Sequence, residues 1–236
     1  MNIIITGASN GIGYFTALAL SQNEKNIVLA LSRDEQKLYK LKTESKKNNP
    51  ESNLHYMVFD LENIDLEKLN EKLEQIKFKS IDVLINNAGR LINKPFEYLT
   101  DNDWKEIYSV NVFSPVRLIR TLLPLMGKKE KTHIVNIGSY GGFQGSSKFR
   151  GLSAYSSSKA ALANITECLA EEFKESNIAV NCLALGAVQT EMLKKAIPGF
   201  EAPTTPHQMA QYVADFAVNG HKYFNGKIIP VARSNP

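Results

Sequence analysis

The sequence predicts an α/β fold of three layers, with helices on both faces of a doubly wound parallel sheet of about seven strands. Three observations carry that expectation. Short β-branched runs alternate with stretches of helical period along the whole chain, the pattern of repeated strand-helix-strand units. The first strand runs directly into a glycine-rich turn that opens a helix, Thr6-Gly7-Ala8-Ser9-Asn10-Gly11-Ile12-Gly13. Neither a linker-like segment nor an internal repeat interrupts the 236 residues, which are enough to bury a core without staples, so one domain over 1–236 is expected.

Taken in order, strands are expected near 2–6, 27–31, 54–59, 81–85, 132–137, 178–183 and 227–231. Helices are expected near 11–22, 34–47, 65–77, 103–127, 154–175 and 206–218. Ser32 with Glu35 has the spacing of a capping box, and Asp65 precedes a stripe of Leu66, Leu69 and Leu73. Pro115 and Pro124 fall inside the 103–127 stretch, where an interior proline should kink the helix. The run 48–53 reads as a loop.

Composition narrows the function classes. A chain with 43% hydrophobic and 22% charged residues is neither disordered nor fibrous. The net charge of +4 is scattered among acidic neighbours, so no basic stripe points to nucleic acid. No run reaches the 18 apolar residues of a membrane helix, and Met1 leads straight into a strand, so a soluble chain without a signal peptide is expected. Cys168 and Cys182 form neither a disulfide framework nor a zinc-spaced cluster, and a reducing, cytoplasmic compartment is the natural setting. His55, His133, His207 and His221 share no ligand spacing, so no metal site is expected.

Two clusters carry chemistry. Glycines between a first strand and a first helix let backbone N–H groups approach a diphosphate at the positive helix end. Tyr155 and Lys159 stand four apart on one helix face, and Ser139 follows the fifth strand. Lowering a tyrosine from about 10 to near 7 needs ~4 kcal/mol. One positive charge at about 4 Å supplies ~4 kcal/mol at an effective dielectric of about 20, so Lys159 suffices in principle to make Tyr155 a proton donor or acceptor near neutral pH.

These residues together resemble the short-chain dehydrogenase/reductase family, in its short single-domain branch. The turn at 6–13, Asn86-Asn87-Ala88-Gly89, Asn111, Ser139 and Tyr155-x-x-x-Lys159 occur in the family's order over nearly the whole chain. The resemblance implies a Rossmann-type fold and hydride transfer between a nicotinamide cofactor and a carbonyl or alcohol substrate. It assigns Tyr155 the proton of the substrate oxygen, Ser139 a hydrogen bond to that oxygen, and Lys159 the nicotinamide ribose. Asn111 would anchor a water chain from Lys159. Gly7, Ser9, Asn10, Gly11, Ile12 and Gly13 would hold the diphosphate, and Asp60 with Leu61 the adenine. Asn87, Ala88 and Gly89 would flank the adenosine ribose, while Asn181, Gly186, Val188 and Thr190 would lead to the carboxamide.

Ser32-Arg33 after the second strand favours NADP(H) over NAD(H), because serine leaves room for a 2′-phosphate that arginine can fork onto. Asp34 is the opposing signal, assigned instead to the helix start. A homodimer or homotetramer is implied, built on the helices at 103–127 and 154–175. Substrate choice should rest on loops at 90–98, 140–153 and 190–206. Phe143, Phe149, Met192 and Phe200 read equally as loop aromatics or ligand contacts, and Lys148 and Arg150 as loop charges. The chain departs from the family at Leu185, where proline is common, and in the 16-residue gap from Ser139 to Tyr155. Its ending Gly226-Lys227-Ile228-Ile229-Pro230-Val231-Ala232-Arg233 stands where Asp-Gly-Gly is frequent. A different class, a cofactor-binding regulator on the same fold, would not need Asn111, Ser139, Tyr155 and Lys159 together.

Overall fold

Seven strands, β1 (Asn2–Thr6), β2 (Ile27–Ser32), β3 (Asn53–Val58), β4 (Val83–Asn86), β5 (Thr132–Ile137), β6 (Ile178–Leu185) and β7 (Ile228–Val231), form one parallel sheet. Their spatial order is β3-β2-β1-β4-β5-β6-β7, so the winding reverses between β1 and β4. This computed structural model describes residues 1–128 and 131–232; Arg233 and the last three positions of the expected 1–236 domain lie outside the described residues.

Side-chain alternation builds both halves of the core. Ile3 and Ile5 point into one cluster and Ile4 into the other, all three fully buried. The first cluster is closed by α1 (Gly11–Ser21), α2 (Glu35–Asn48) and α8 (Pro206–Asn219). The second is closed by α3 (Leu66–Gln75), α5 (Ser114–Leu122) and α6 (Ser153–Glu172). A sheet covered on both faces explains why its strands read as continuous apolar runs.

Three local expectations are corrected. The Ser32–Glu35 capping box does not form: Ser32 remains paired to Val58 in the sheet, and Asp34 caps α2 by accepting from the Lys37 N–H at 3.1 Å. Asp65 caps α3 as expected, but Leu66 sits in the first turn outside the buried stripe and is exposed. The 103–127 helix is broken rather than merely kinked. It divides into α4 (Asp101–Tyr108), a π turn (Ser109–Phe113), α5 and a 3₁₀ turn (Leu123–Leu125). Pro115, at the start of α5, has no N–H for the Asn111 carbonyl, and the extra residue of the π turn absorbs that loss. A further short helix, α7 (Glu191–Ala196), spans too few residues to show a period. Among the described residues no helix is long and apolar enough to cross a membrane.

His133 at the start of β5 is fully buried and held as a neutral ring. Its Nδ1–H donates to the Ala217 carbonyl at 2.9 Å, and its Nε2 accepts from Asn181 Nδ2 at 3.0 Å. Burial pushes its pKa down to about 4, the Ala217 bond opposing. The unfolded chain takes up this proton near pH 6.5 and the folded chain only near 4, so stability falls as pH drops between those values. The expected loss is about 3 kcal/mol from this group. Urea midpoints of the protein and of His133→Gln across pH 7 to 4 check it, because the variant should lose this part of the slope.

Candidate active site

β1 delivers the chain into the glycine turn, where Gly7 and Gly11 take φ of 66° and 58°. Asn10 is extended and makes no side-chain bond to the helix start, so its carboxamide leaves the first N–H groups of α1 available to an anion. The turn is clamped from behind. Asn87 Nδ2 donates to the Thr6 and Gly7 carbonyls at 2.9 and 3.2 Å, while Thr6 Oγ1 accepts from the Asn87 and Ala88 N–H groups at 3.1 and 3.0 Å. A Cβ on Gly13 would lie 2.3 Å from Asn87 Nδ2 and 2.5 Å from the Gly7 carbonyl, so only glycine admits this clamp.

A cavity of about 800 Å³ runs along the carboxyl ends of the strands. Ser32, Arg33, Asp60 and Leu61 line it after β2 and β3. Gly7, Ser9, Asn10, Gly11 and Ile12 line it at the turn, with Asn87, Ala88 and Gly89 after β4 and Gly186, Val188 and Thr190 after β6. Ser139, Tyr155 and Lys159 line the same cavity. Of the expected residues, Gly13, Asn111 and Asn181 stand behind its wall. Ser32 Oγ donates to Ser9 Oγ at 2.8 Å, tying the β2 end to the turn. β6 continues through Leu185, which pairs with Val231, and the Gly186 N–H donates to the Val231 carbonyl at 2.9 Å.

The reactive side chains meet at the end of β5. The Tyr155 hydroxyl and Ser139 are hydrogen-bonded, and Ser139 Oγ accepts from the Gly141 N–H at 3.3 Å. Burial of the phenolate raises the pKa of Tyr155, and the Ser139 bond pulls it back only in part. Lys159 is not among the groups that shift Tyr155 in the free chain, so the acidification expected from the sequence does not enter there. Lys159 is 4% exposed, and its ammonium donates to the Ile137 carbonyl at 2.8 Å. Burial pushes its pKa down to about 8, with the nearby Cys182 thiol opposing. A Cβ on Gly89 would sit 3.5 Å from Lys159 Nζ, so the glycine leaves that ammonium open to the cavity.

Asn111 acts on backbone. Its Oδ1 accepts from the Arg90 N–H at 2.8 Å, and its Nδ2 donates to the Arg90 carbonyl and to Ser158 Oγ, both at 2.9 Å. With the carboxamide so engaged, the side chain fixes the strand end after Gly89; any anchoring of a water chain falls to its backbone. Asn181 is corrected as well: it bonds His133, the Phe224 carbonyl and the Lys227 N–H, away from the cavity.

The three expected loops are tied to one another. The Lys94 N–H donates to the Gly151 carbonyl at 2.9 Å, and Asn93 Nδ2 donates to the Ala196 carbonyl at 2.8 Å. Phe149, Met192 and Phe200 line the cavity, whereas Lys148 is bonded to its own loop through the Phe143 and Ser146 carbonyls. Cys168 is exposed on α6, and Cys182 is buried in β6.

Comparison with known proteins bears directly on this arrangement. The family model described as short chain dehydrogenase matches residues 1–199. The chain belongs to the short-chain dehydrogenase/reductase family. A fatty acyl-CoA reductase of Acinetobacter baylyi is 30% identical over 80% of this chain, which spans only 63% of that relative's length. A 3-oxoacyl-(acyl-carrier-protein) reductase of Thermotoga maritima is 29% identical, with 97% of this chain and 94% of that protein covered. A structure from Escherichia coli CFT073 complexed with NADPH superposes with a TM-score of 0.85 at 26% identity, covering 97% of this chain and 95% of that one.

As a short-chain dehydrogenase/reductase the chain is an NAD(P)-dependent oxidoreductase. Glu62 and Val110 line the cavity without having been expected there, and within the expected loops Leu91, Lys195 and Ile197 face it. Glu62 had a local signal in its adjacency to Asp60-Leu61. Val110 sits in the π turn, Leu91 and Ile197 on loops and Lys195 in the six-residue α7, too short for a period to mark a facing. Replacing Asn111 by alanine should remove its bonds to the part-buried Arg90 peptide groups and to Ser158 Oγ and cost about 1 to 2 kcal/mol of stability. Thermal or urea unfolding of Asn111→Ala checks this, and an unchanged midpoint would count against the clamp.

Proposed function

We propose that this is an NADP(H)-dependent reductase or dehydrogenase of carbonyl and alcohol groups, with Tyr155 exchanging the proton. The observation that carries the reading is a single cavity that holds an open helix start, a 4% exposed lysine and a bonded Ser139–Tyr155 pair. The residues present fit a dinucleotide, since the glycine turn is narrow and its helix N–H groups face the cavity side of the sheet. Gly7, Ser9, Asn10, Gly11 and Ile12 would hold the diphosphate, and Arg33 a 2′-phosphate. Asp60, Leu61 and Asn87–Gly89 would frame the adenosine, and Gly186, Val188 and Thr190 the nicotinamide side. When bound, the nicotinamide supplies or accepts a hydride at the substrate carbon.

This chain's own residues then handle the oxygen. Ser139 orients it, the Tyr155 hydroxyl moves the proton, and Lys159 charges that region while gripping the ribose. Burial keeps the phenol protonated and so available to a developing alkoxide, and positive charge beside it is what eases the transfer by stabilising the phenolate left behind. Phe149, Met192 and Phe200 give the cavity an apolar wall, and the relatives' names include acyl-CoA and 3-oxoacyl reductases. A 3-oxoacyl thioester is accordingly the first substrate to offer in a panel of ketones, aldehydes, sugars and steroids, followed by the reduced-nicotinamide absorbance.

We place the whole of 1–236 in one catalytic domain, with substrate selection by the loops at 90–98, 140–153 and 190–206. Its exposed Cys168 thiol suits a reducing cytoplasm. Tyr155→Phe should lose turnover by at least about a thousandfold, with the NADPH dissociation constant within about twofold. Lys159→Ala should impair both. Stopped turnover assays beside fluorescence titration of NADPH separate the two; a Tyr155→Phe variant retaining a tenth of the rate would remove the phenol from the mechanism.

The active form is proposed to be a homodimer or homotetramer seated on α4, α5 and α6. Ala160 is exposed and Ala161 and Ile165 are only partly covered within one chain, small apolar groups that a second helix can approach closely. Light scattering at micromolar concentration should give a mass of two or four chains, and a monomer mass independent of concentration would refute it.

A further inference from the structure

The adenosine end of the cavity holds more negative charge than a phosphate would choose. Arg33 is the one cation among the described residues lining that end, and Asp60 and Glu62 line it too. Arg33 Nη1 lies 3.9 Å from Glu62 Oε2. Glu62 is not a loose side chain on a loose loop. Its N–H donates to Asp60 Oδ1 at 3.0 Å, and its carbonyl accepts from Arg117 Nη1 at 3.0 Å, so the backbone that carries the carboxylate is fixed on both sides. Asp60 stays ionised, held below its ordinary range first by that Glu62 N–H, then by Asn63, with Arg33 adding less.

We infer that Glu62 determines cofactor specificity, its carboxylate occupying Arg33 and so opposing the 2′-phosphate of NADPH. The inference rests on Arg33 being the phosphate ligand, as proposed above. A 2′-phosphate brings close to two negative charges. To fork onto Arg33 it must take the guanidinium from Glu62 and then lie beside that carboxylate. The two hydroxyls of an NADH adenosine ribose face neither demand. The chain therefore binds NADPH less tightly than its serine and arginine alone would allow, and Glu62 narrows the gap to NADH.

The side chain of Arg33 is 67% exposed and that of Glu62 31%, so both tolerate replacement without disturbing the core. Fluorescence titration of NADPH and NADH against the whole chain, Glu62→Gln, Arg33→Ala and the double variant tests the inference without substrate or turnover. Glu62→Gln should tighten NADPH by about fivefold, the size expected when a partly exposed ion pair and a neighbouring repulsion are both removed. NADH should stay within about twofold. In the Arg33→Ala background the gain should shrink to less than about twofold, because the carboxylate acts through the guanidinium. The inference is overturned if NADPH affinity is unchanged, if both cofactors tighten equally, if the ratio moves only because NADH weakens, or if the gain persists without Arg33. The order of the two affinities in the unaltered chain tests the cofactor reading separately: tighter NADH there defeats that reading and leaves the Glu62 shift to be judged by its own ratio.

Discussion

Everything in the site depends on the clamp between the ends of β1 and β4. The winding of the sheet reverses there, so the connections after these neighbouring strands leave to opposite faces and open a crevice. Thr6 and Asn87 exchange hydrogen bonds across that crevice floor, and Gly13 has no side chain to hold them apart. With the floor fixed, the start of α1, the Gly89 strand end and the Thr190 cap of α7 take set positions around one volume. Thr190 Cγ2 would lie 3.4 Å from a Cβ on Gly11, so the roof and the turn are separated by little more than a methyl group.

A second constraint is the cost of burying Lys159. An ammonium with 4% exposure is tolerated because the Ile137 carbonyl, the last of β5, turns toward it. Gly142 packs against the Lys159 backbone and side chain, where a Cβ would come within 2.8 Å, and so draws the segment after Ser139 onto α6. The same burial that depresses Lys159 raises Tyr155. One low-dielectric environment thus pushes both groups toward their neutral forms, and a bound ligand that brings charge shifts the two together.

The fold was legible because period-2 and period-3.6 signals are strong in strands and helices buried against a two-sided sheet. Ile3-Ile4-Ile5 and the stripe ending at Leu69 and Leu73 announce themselves. The candidate site residues came from the family resemblance instead, and the structure brings Ser139, Tyr155 and Lys159 to one cavity. What escaped depends on geometry that one-dimensional order does not hold. The π turn follows from where Pro115 falls relative to α4, not from any run of residues. Asn87 reads as a ribose contact and Asn111 as the anchor of a water chain, yet each spends much of its carboxamide on backbone, a choice decided by which peptide groups arrive beside it. Glu62 joined the cavity through the turn after β3, and no periodicity reports that.

The hydrogen bonds from Asn93 and Lys94 reach both of the other substrate loops, to Ala196 and to Gly151. Three segments far apart in the chain are therefore strung on one short stretch of backbone. Opening any of them strains or breaks a bond held by another, so the mouth of the cavity behaves as a single flap rather than three independent ones. Changes made to one loop are then felt in the other two, and the effects of combined loop substitutions on ligand entry and escape will not add. A chain with this wiring can acquire a new specificity only by remodelling the mouth as a unit.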